Sequence, residues 1–284
     1  PDNSALWISD VSSSTGGLYA YSCMGGWLIE NNYLHDGGLP FFIKDVANNP
    51  PLNAEAVTFR YNKIENASKA FYTLMGAAGT EEEVFFRVHN NIAVNTQCFT
   101  RQEGIDQSGR VDLRNNSWYS NGGYSRAADT SQDSSFFHTF AYDVTNQGQT
   151  PQELYSVGNI IESDTGVGDY YLFADAYSSS GSVPSLMSSI EEVDYNVYVG
   201  GLCKLYQTSG TGVLTGGIAD WTNTAITDNL TVDVGNSWDA NSLENQTSSV
   251  VSVDVTTGDF TLASGSPAFN LVSSTENAGP YQYG

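Results

Sequence analysis

The sequence predicts an all-β fold in which short parallel strands stack coil upon coil, a β-solenoid, and three observations carry that prediction. Val57-Thr58-Phe59-Arg60, Val84-Phe85-Phe86-Arg87 and Val111-Asp112-Leu113-Arg114 repeat one another every 27 residues, counted from arginine to arginine. An earlier copy without the arginine, Trp27-Leu28-Ile29-Glu30, ends 30 residues before Arg60. Each copy is followed within two to four residues by an asparagine: Asn32, Asn62, Asn91 and Asn116. A period in the twenties, with one short strand and a turn residue per repeat, marks a unit that cannot bury its own apolar face and must stack on its neighbours.

Within each repeat a second strand follows the first. Phe41-Phe42-Ile43-Lys44, Ala70-Phe71-Tyr72-Thr73 and Gln97-Cys98-Phe99-Thr100 come about 13 residues later, too soon for a helix and two loops to intervene. Leu154 to Ile160 and Val193 to Tyr198 keep the same shape at wider spacing, as insertions on one face of the later coils would make them. The asparagines suit the corners, because Asn tolerates left-handed backbone angles and bonds to nearby backbone. Stacked coils place one Asn above another. Alternation along the strand sends Val57, Phe59 and Tyr61 inward and Thr58, Arg60 and Asn62 outward, so the arginines form an outward column with Glu30 at its N-terminal end.

The chain has 284 residues, is 40% hydrophobic and carries a formal charge of −22 with only ten Lys and Arg. That size buries a core in a single domain over 1–284. Its apolar runs are strand-sized, which gives no membrane span. It begins at Pro1 rather than Met and reaches a strand by Leu6, the pattern of a processed or truncated product with its N-terminal cap absent. The acidity argues against nucleic acid or an anionic membrane as partner. It is also uneven: residues 128–284 hold one basic side chain, Lys204, against 19 acidic ones. A solvated extracellular or salt-adapted surface explains this. Ca2+ held by Asp and Asn in turns is the sharper alternative, without a dense D-x-D-x-D-G loop to support it.

Three cysteines, Cys23, Cys98 and Cys203, make no metal spacing and no disulfide framework, and Cys98 beside Phe99 reads as a buried thiol. The sequons at Asn66, Asn115, Asn229 and Asn245 are glycosylation candidates. Of the histidines, His35, His89 and His138 are scattered, and His89 reads as a turn or surface residue. Many of the 17 tyrosines fall in strands, among them Tyr61, Tyr72, Tyr155, Tyr195 and Tyr198, where they suit either sugar stacking or a solenoid interior.

The tail, Asp259-Phe260-Thr261-Leu262-Ala263-Ser264-Gly265-Ser266-Pro267-Ala268 followed by Ala278-Gly279-Pro280-Tyr281, resembles the closing turn of secreted right-handed parallel β-helix proteins of the pectate-lyase-like superfamily. Asp194-Tyr195-Asn196-Val197-Tyr198 resembles a penultimate coil of that group, and Val57 to Asn62 its internal coils. The resemblance implies a right-handed parallel β-helix closing at about 259–284. It does not select a function, because that superfamily holds lyases, hydrolases, spikes and surface proteins.

Two functions of different class follow. The first is an extracellular structural or cell-surface solenoid, self-assembling head to tail into filaments and contacting glycans. The second is a polysaccharide lyase on an acidic glycan, which needs a basic residue at the sugar C5 proton and cations on the uronate. Arg60, Arg87, Arg114 and Lys44 are the catalytic candidates there, and with Arg101 the glycan-binding candidates. The plainer reading pairs Glu30 with Arg60 and sets the other arginines over aromatics or against acids such as Glu81 to Glu83. A hydrolase would need converging carboxylates, and Glu191, Glu192 and Asp194 alternate between faces instead.

Overall fold

A computed structural model describes residues 7–9, 17–21, 27–37, 40–44, 57–75, 85–104, 110–120, 134–141, 153–163, 170–177, 190–200, 203–208, 212–214 and 239–280. The protein is all-β and its strands run mainly parallel in two large sheets. Helix among the described residues amounts to one turn, Ser248–Val251, and a 3-10 turn, Val255–Thr257.

The first sheet has six parallel strands: Leu28–Glu30, Val57–Arg60, Phe85–His89, Arg110–Arg114, Glu153–Val157 and Ile190–Asp194, each paired with the next in sequence order. Each runs into a two-residue corner and then into a strand of the second sheet, such as Lys63–Met75 after Val57–Arg60. The first corner residue is left-handed in every case: Asn31, Tyr61, Asn90, Asn115, Gly158 and Tyr195, with φ between 53° and 67°. The second is always asparagine: Asn32, Asn62, Asn91, Asn116, Asn159 and Asn196.

Lys63–Met75 and Ile92–Gly104 are 13 residues long and bend at left-handed Asn66 and Asn95. Their first halves stack with Tyr33–Gly37 on one side and Ser117–Ser120 on the other, a ladder continued by Ile160–Ser163, Val197–Val199 and Leu243–Gln246. Their second halves stack with Phe41–Lys44 and Ser134–Ala141, in a ladder that runs from Gly17–Tyr21 to Cys203–Thr208. The expected second strands at Phe41, Ala70 and Gln97 are thus present. The wider spacing of the later coils includes whole strands, Ser134–Ala141 and Tyr170–Tyr177.

Between the sheets lies a core of stacked phenylalanines, Phe41 on Phe71 at 5.5 Å and Phe99 on Phe136 at 4.7 Å, with Phe59 and Trp118 against them. Trp118 is fully buried and donates its Nε1–H to Thr96 Oγ1 at 2.9 Å. Val57 and Phe59 point inward as alternation requires, but the alternation ends at Arg60. Tyr61 is the left-handed corner and not a core residue, and Asn62 turns inward instead of outward, only 2% exposed.

The tail does not add another coil. Ser252–Asp254 and Asp259–Leu262 form an antiparallel pair and lie on the outer side of the second sheet. There Val255 and Phe260 pack on Val94 and Tyr119, and Ala268 and Ala278 on Ile160 and Val197. Asn115 Nδ2 donates to Glu276 at 2.8 Å, and the Gly279 N–H to the Gly158 carbonyl at 2.7 Å. The described part of the tail is therefore a strap along the outer side of the second sheet.

Candidate functional site

The six corner asparagines form a continuous ladder. Each Nδ2 donates to the Oδ1 of the next asparagine, over sequence intervals of 30, 29, 25, 43 and 37 residues. The same Oδ1 also accepts the backbone N–H of the preceding asparagine. From the second rung on, Nδ2 reaches a backbone carbonyl of the coil below: Ile29, Phe59, Val88, Leu113 and Ser156 in turn. Asn91, Asn116, Asn159 and Asn196 are wholly buried. At the far end the backbone N–H of Asn196 donates to Ser242 Oγ at 2.9 Å, so a hydroxyl from the Asp239–Ser242 turn replaces the next amide. A buried amide with every donor and acceptor used fixes how coils stack, because a shifted register would strand several polar groups at once.

This ladder corrects the 27-residue alignment. Arg60 pairs with His89, and His89 with Arg114; Arg87 lies across from Thr58 and Asp112. Arg60, Arg87 and Arg114 share a face but not a column, since a slip of two residues preserves the side of the strand and changes the row. Arg87 stands four residues before its asparagine and the others two, which was the sign of the slip. Val84 lies outside the described residues.

The outer face of the first sheet is dense in charge. Glu30 binds Arg60 at 2.7 Å, as expected from sequence. Asp112 is the hub: its carboxylate takes Arg114 Nε at 2.6 Å and Arg110 at 3.4 Å, with His89 Nε2 at 3.7 Å. Arg110 also reaches Glu153 at 3.7 Å and Arg114 reaches Glu192 at 3.6 Å. Tyr155 lies beneath two guanidinium groups, Arg110 at 4.1 Å and Arg114 at 5.7 Å, and donates to Glu153. Burial alone would push the Asp112 carboxyl up, but the His89 imidazole and Arg114 guanidinium outweigh it and hold the group below its ordinary range. Burial pushes the Tyr155 phenol up, with Glu153 adding to it and Arg110 opposing.

Asp112, Arg110 and Glu153 were missed in the sequence, and Tyr155 was read only as one of the strand tyrosines. The available signal was Asp112 and Tyr155 at outward positions four residues before Asn116 and Asn159. Arg87 is exposed on the same face. Lys44 and Arg101 are elsewhere: both sit on the second sheet, Lys44 across from Leu74 and Arg101 across from Tyr72, and Arg101 is buried. The Lys44 side chain and Glu81 to Glu83 lie outside the described residues, and so do Cys23, Asn229 and the side chains of Cys203 and Asn245.

A second polar group occupies the exposed start of the second sheet. Tyr33 stacks on His35 at 4.9 Å and donates to Glu65 at 2.5 Å, Glu65 pairs with Lys63 at 2.8 Å, and Asp36 takes His35 and Asn66. The bond to Glu65 pushes the Tyr33 phenol up to about 12. The Asn66 sequon amide is held by Asp36 and Asn95, and the Asn115 amide is buried against Glu276. Cys98 is buried without a disulfide, 3.4 Å from Ser135 Oγ. Among the described residues no three His, Cys, Asp or Glu side chains gather as metal ligands.

Comparison with protein-family models, with curated proteins and with solved structures returned no match.

Proposed function

We propose that the chain is a right-handed parallel β-helix of the kind its tail resembles, working as an extracellular or cell-surface structural element. One observation carries this reading. Arginines on the strand face that a lyase would use are engaged by the protein's own carboxylates, with Arg60 on Glu30, Arg114 on Asp112 and Arg110 on Asp112 and Glu153. Arg60 on Glu30, Arg110 on Glu153 and the stacking of Arg110 and Arg114 on Tyr155 join neighbouring strands, whereas both pairs to Asp112 lie within one strand, so the first set braces the stack. Three ladders joined by left-handed corners support a coil that closes on itself.

Head-to-tail filaments through the solenoid ends have weaker support. The amide ladder ends at Ser242, inside the Asp239–Ser242 turn, which leaves one unclosed ladder end where a polymer needs two.

The alternative, a lyase on an acidic glycan, draws on four arginines along one face of a chain with ten basic side chains. The discriminating experiment is incubation with polygalacturonate and with alginate, reading absorbance of unsaturated uronate. The structural reading expects no release. Release that is lost in Arg87→Ala and kept in Arg101→Ala would overturn it.

A further inference from the structure

The two ends of the amide ladder differ. At the far end Ser242 accepts the last N–H, the Asp239 N–H donates to the Val193 carbonyl, and Asn241 binds the Asp194 carboxylate through its backbone N–H and its Nδ2. At the near end Asn32 is exposed, and its Oδ1 accepts no hydrogen bond among the described residues. In every later rung that atom accepts two. Leu28–Glu30 ends the first sheet and Tyr33–Gly37 ends the ladder above it, with no described strand on their outer edges. Leu28 and Tyr33, 51% and 55% exposed, flank this corner; Phe269 is the third large exposed hydrophobic residue among those described.

The remaining ladder does not stop there. Gly17–Tyr21 pairs beyond Phe41–Lys44, and Trp7–Ser9 pairs antiparallel beyond that. Among the described residues one ladder thus extends two strands past the other two.

We propose that Leu28–Gly37 is a docking edge for an extended polypeptide segment built as a strand, a left-handed corner residue and an asparagine, lying parallel where another coil would stack. The established interface between coils dictates this chemistry. The occupant must donate a backbone N–H and a side-chain amide to Asn32 Oδ1 and offer strand edges to Leu28–Glu30 and Tyr33–Gly37. It must also cover Leu28 and Tyr33. A second copy meets these demands poorly: the same edge brings acceptor to acceptor at Asn32, and the far end has already used Ser242. The edge is the same whether the protein is a scaffold or a lyase, so the inference stands apart from the functional reading.

The probe is a synthetic peptide with the sequence of residues 57–66, titrated to millimolar concentration into the full chain and followed by amide NMR. The expected result is saturable shifts confined to residues 28–37, with binding at least ~10-fold weaker, a loss of about 1.4 kcal/mol, when the peptide carries Asn62→Leu or the protein Asn32→Leu. Asn32 is exposed, so the protein variant keeps its fold, which its remaining spectrum checks. Absence of shifts, equal binding of the Leu peptide, or protection of the edge by dimerisation in sedimentation would each overturn the proposal.

Discussion

Two columns run along the same six strand-and-corner repeats, one of asparagines that is buried at every corner but the first and one along the first sheet, and they obey different rules. In the buried column every position is asparagine and every rung repeats the same bonds. In the sheet column through Arg60 the residues change from repeat to repeat: Glu30, Arg60, His89, Arg114, the buried Val157 and Asp194. A buried amide has one arrangement that satisfies it, whereas a charge in water is satisfied by many neighbours. The corner therefore sets the register, and the surface charges adapt to it.

The largest effect that sharpens this contrast comes from the core and the ladder interior. Trp118→Ala should cost about 4 kcal/mol by chemical denaturation. Asn91→Ala should cost about 3 kcal/mol, because it leaves partners at Asn62, Asn116, Phe59 and His89 without their bonds. Asn32→Ala, at the open rung, should cost under about 1 kcal/mol. Equal losses at Asn91 and Asn32 would break the distinction between interior and end.

Next come the charges. Asp112→Asn should cost about 2 kcal/mol, since it strips a mostly buried acceptor from Arg110 and Arg114. Removing Glu30 from its half-exposed pair with Arg60 should cost less than about 1 kcal/mol. The folded Asp112 carboxyl titrates below its unfolded value. Its contribution is complete at pH values well above about 4, and it fades as pH falls through the folded value. Wild type should lose stability on that acid limb relative to Asp112→Asn, as thermal melts across pH would register.

Smaller still is Gly258→Ala in the strap. Gly258 is left-handed at φ 74°, and a Cβ there would meet Lys63 Nζ at 2.7 Å and Glu65 Oε1 at 2.9 Å. Both are ends of flexible side chains, so a loss of about 1 kcal/mol is expected, mostly from the backbone. The smallest effect is spectroscopic. Tyr33 should ionise near 12 by ultraviolet titration, and Glu65→Gln should bring it back toward 10.

Much of the fold was legible because its signals are local. The asparagines mark the corners, although the left-handed residue is the one before each of them and not the asparagine expected to adopt that angle; alternation buries Val57 and Phe59, and a short interval between strands excludes helices. What was illegible was register. Val-x-Phe-Arg and Val-Phe-Phe-Arg match as strings, and a two-residue slip keeps every side chain on its face, so face periodicity is blind to it. The asparagine distance held the answer, four residues after Arg87 against two after Arg60 and Arg114. Asp112 escaped notice for a different reason: Arg110 and Arg114 flank it two residues away on its own strand, and only His89 reaches it from the neighbouring one. The strap escaped as well, because Phe260 and Ala268 pack on a sheet whose outer face no local pattern identifies.

The central claim, that the amide ladder fixes the register, is open to one direct measurement. With Cys23, Cys98 and Cys203 replaced by serine, two double variants are oxidised and their intrachain disulfides quantified: Arg60→Cys with His89→Cys, and Arg60→Cys with Arg87→Cys. Register neighbours on adjacent strands sit about 5 Å apart, within disulfide reach, and a two-residue diagonal is about 8 Å apart, beyond it. The ladder predicts rapid closure of 60 with 89 and little of 60 with 87. Preferential closure of 60 with 87 would contradict it and restore the single column of arginines.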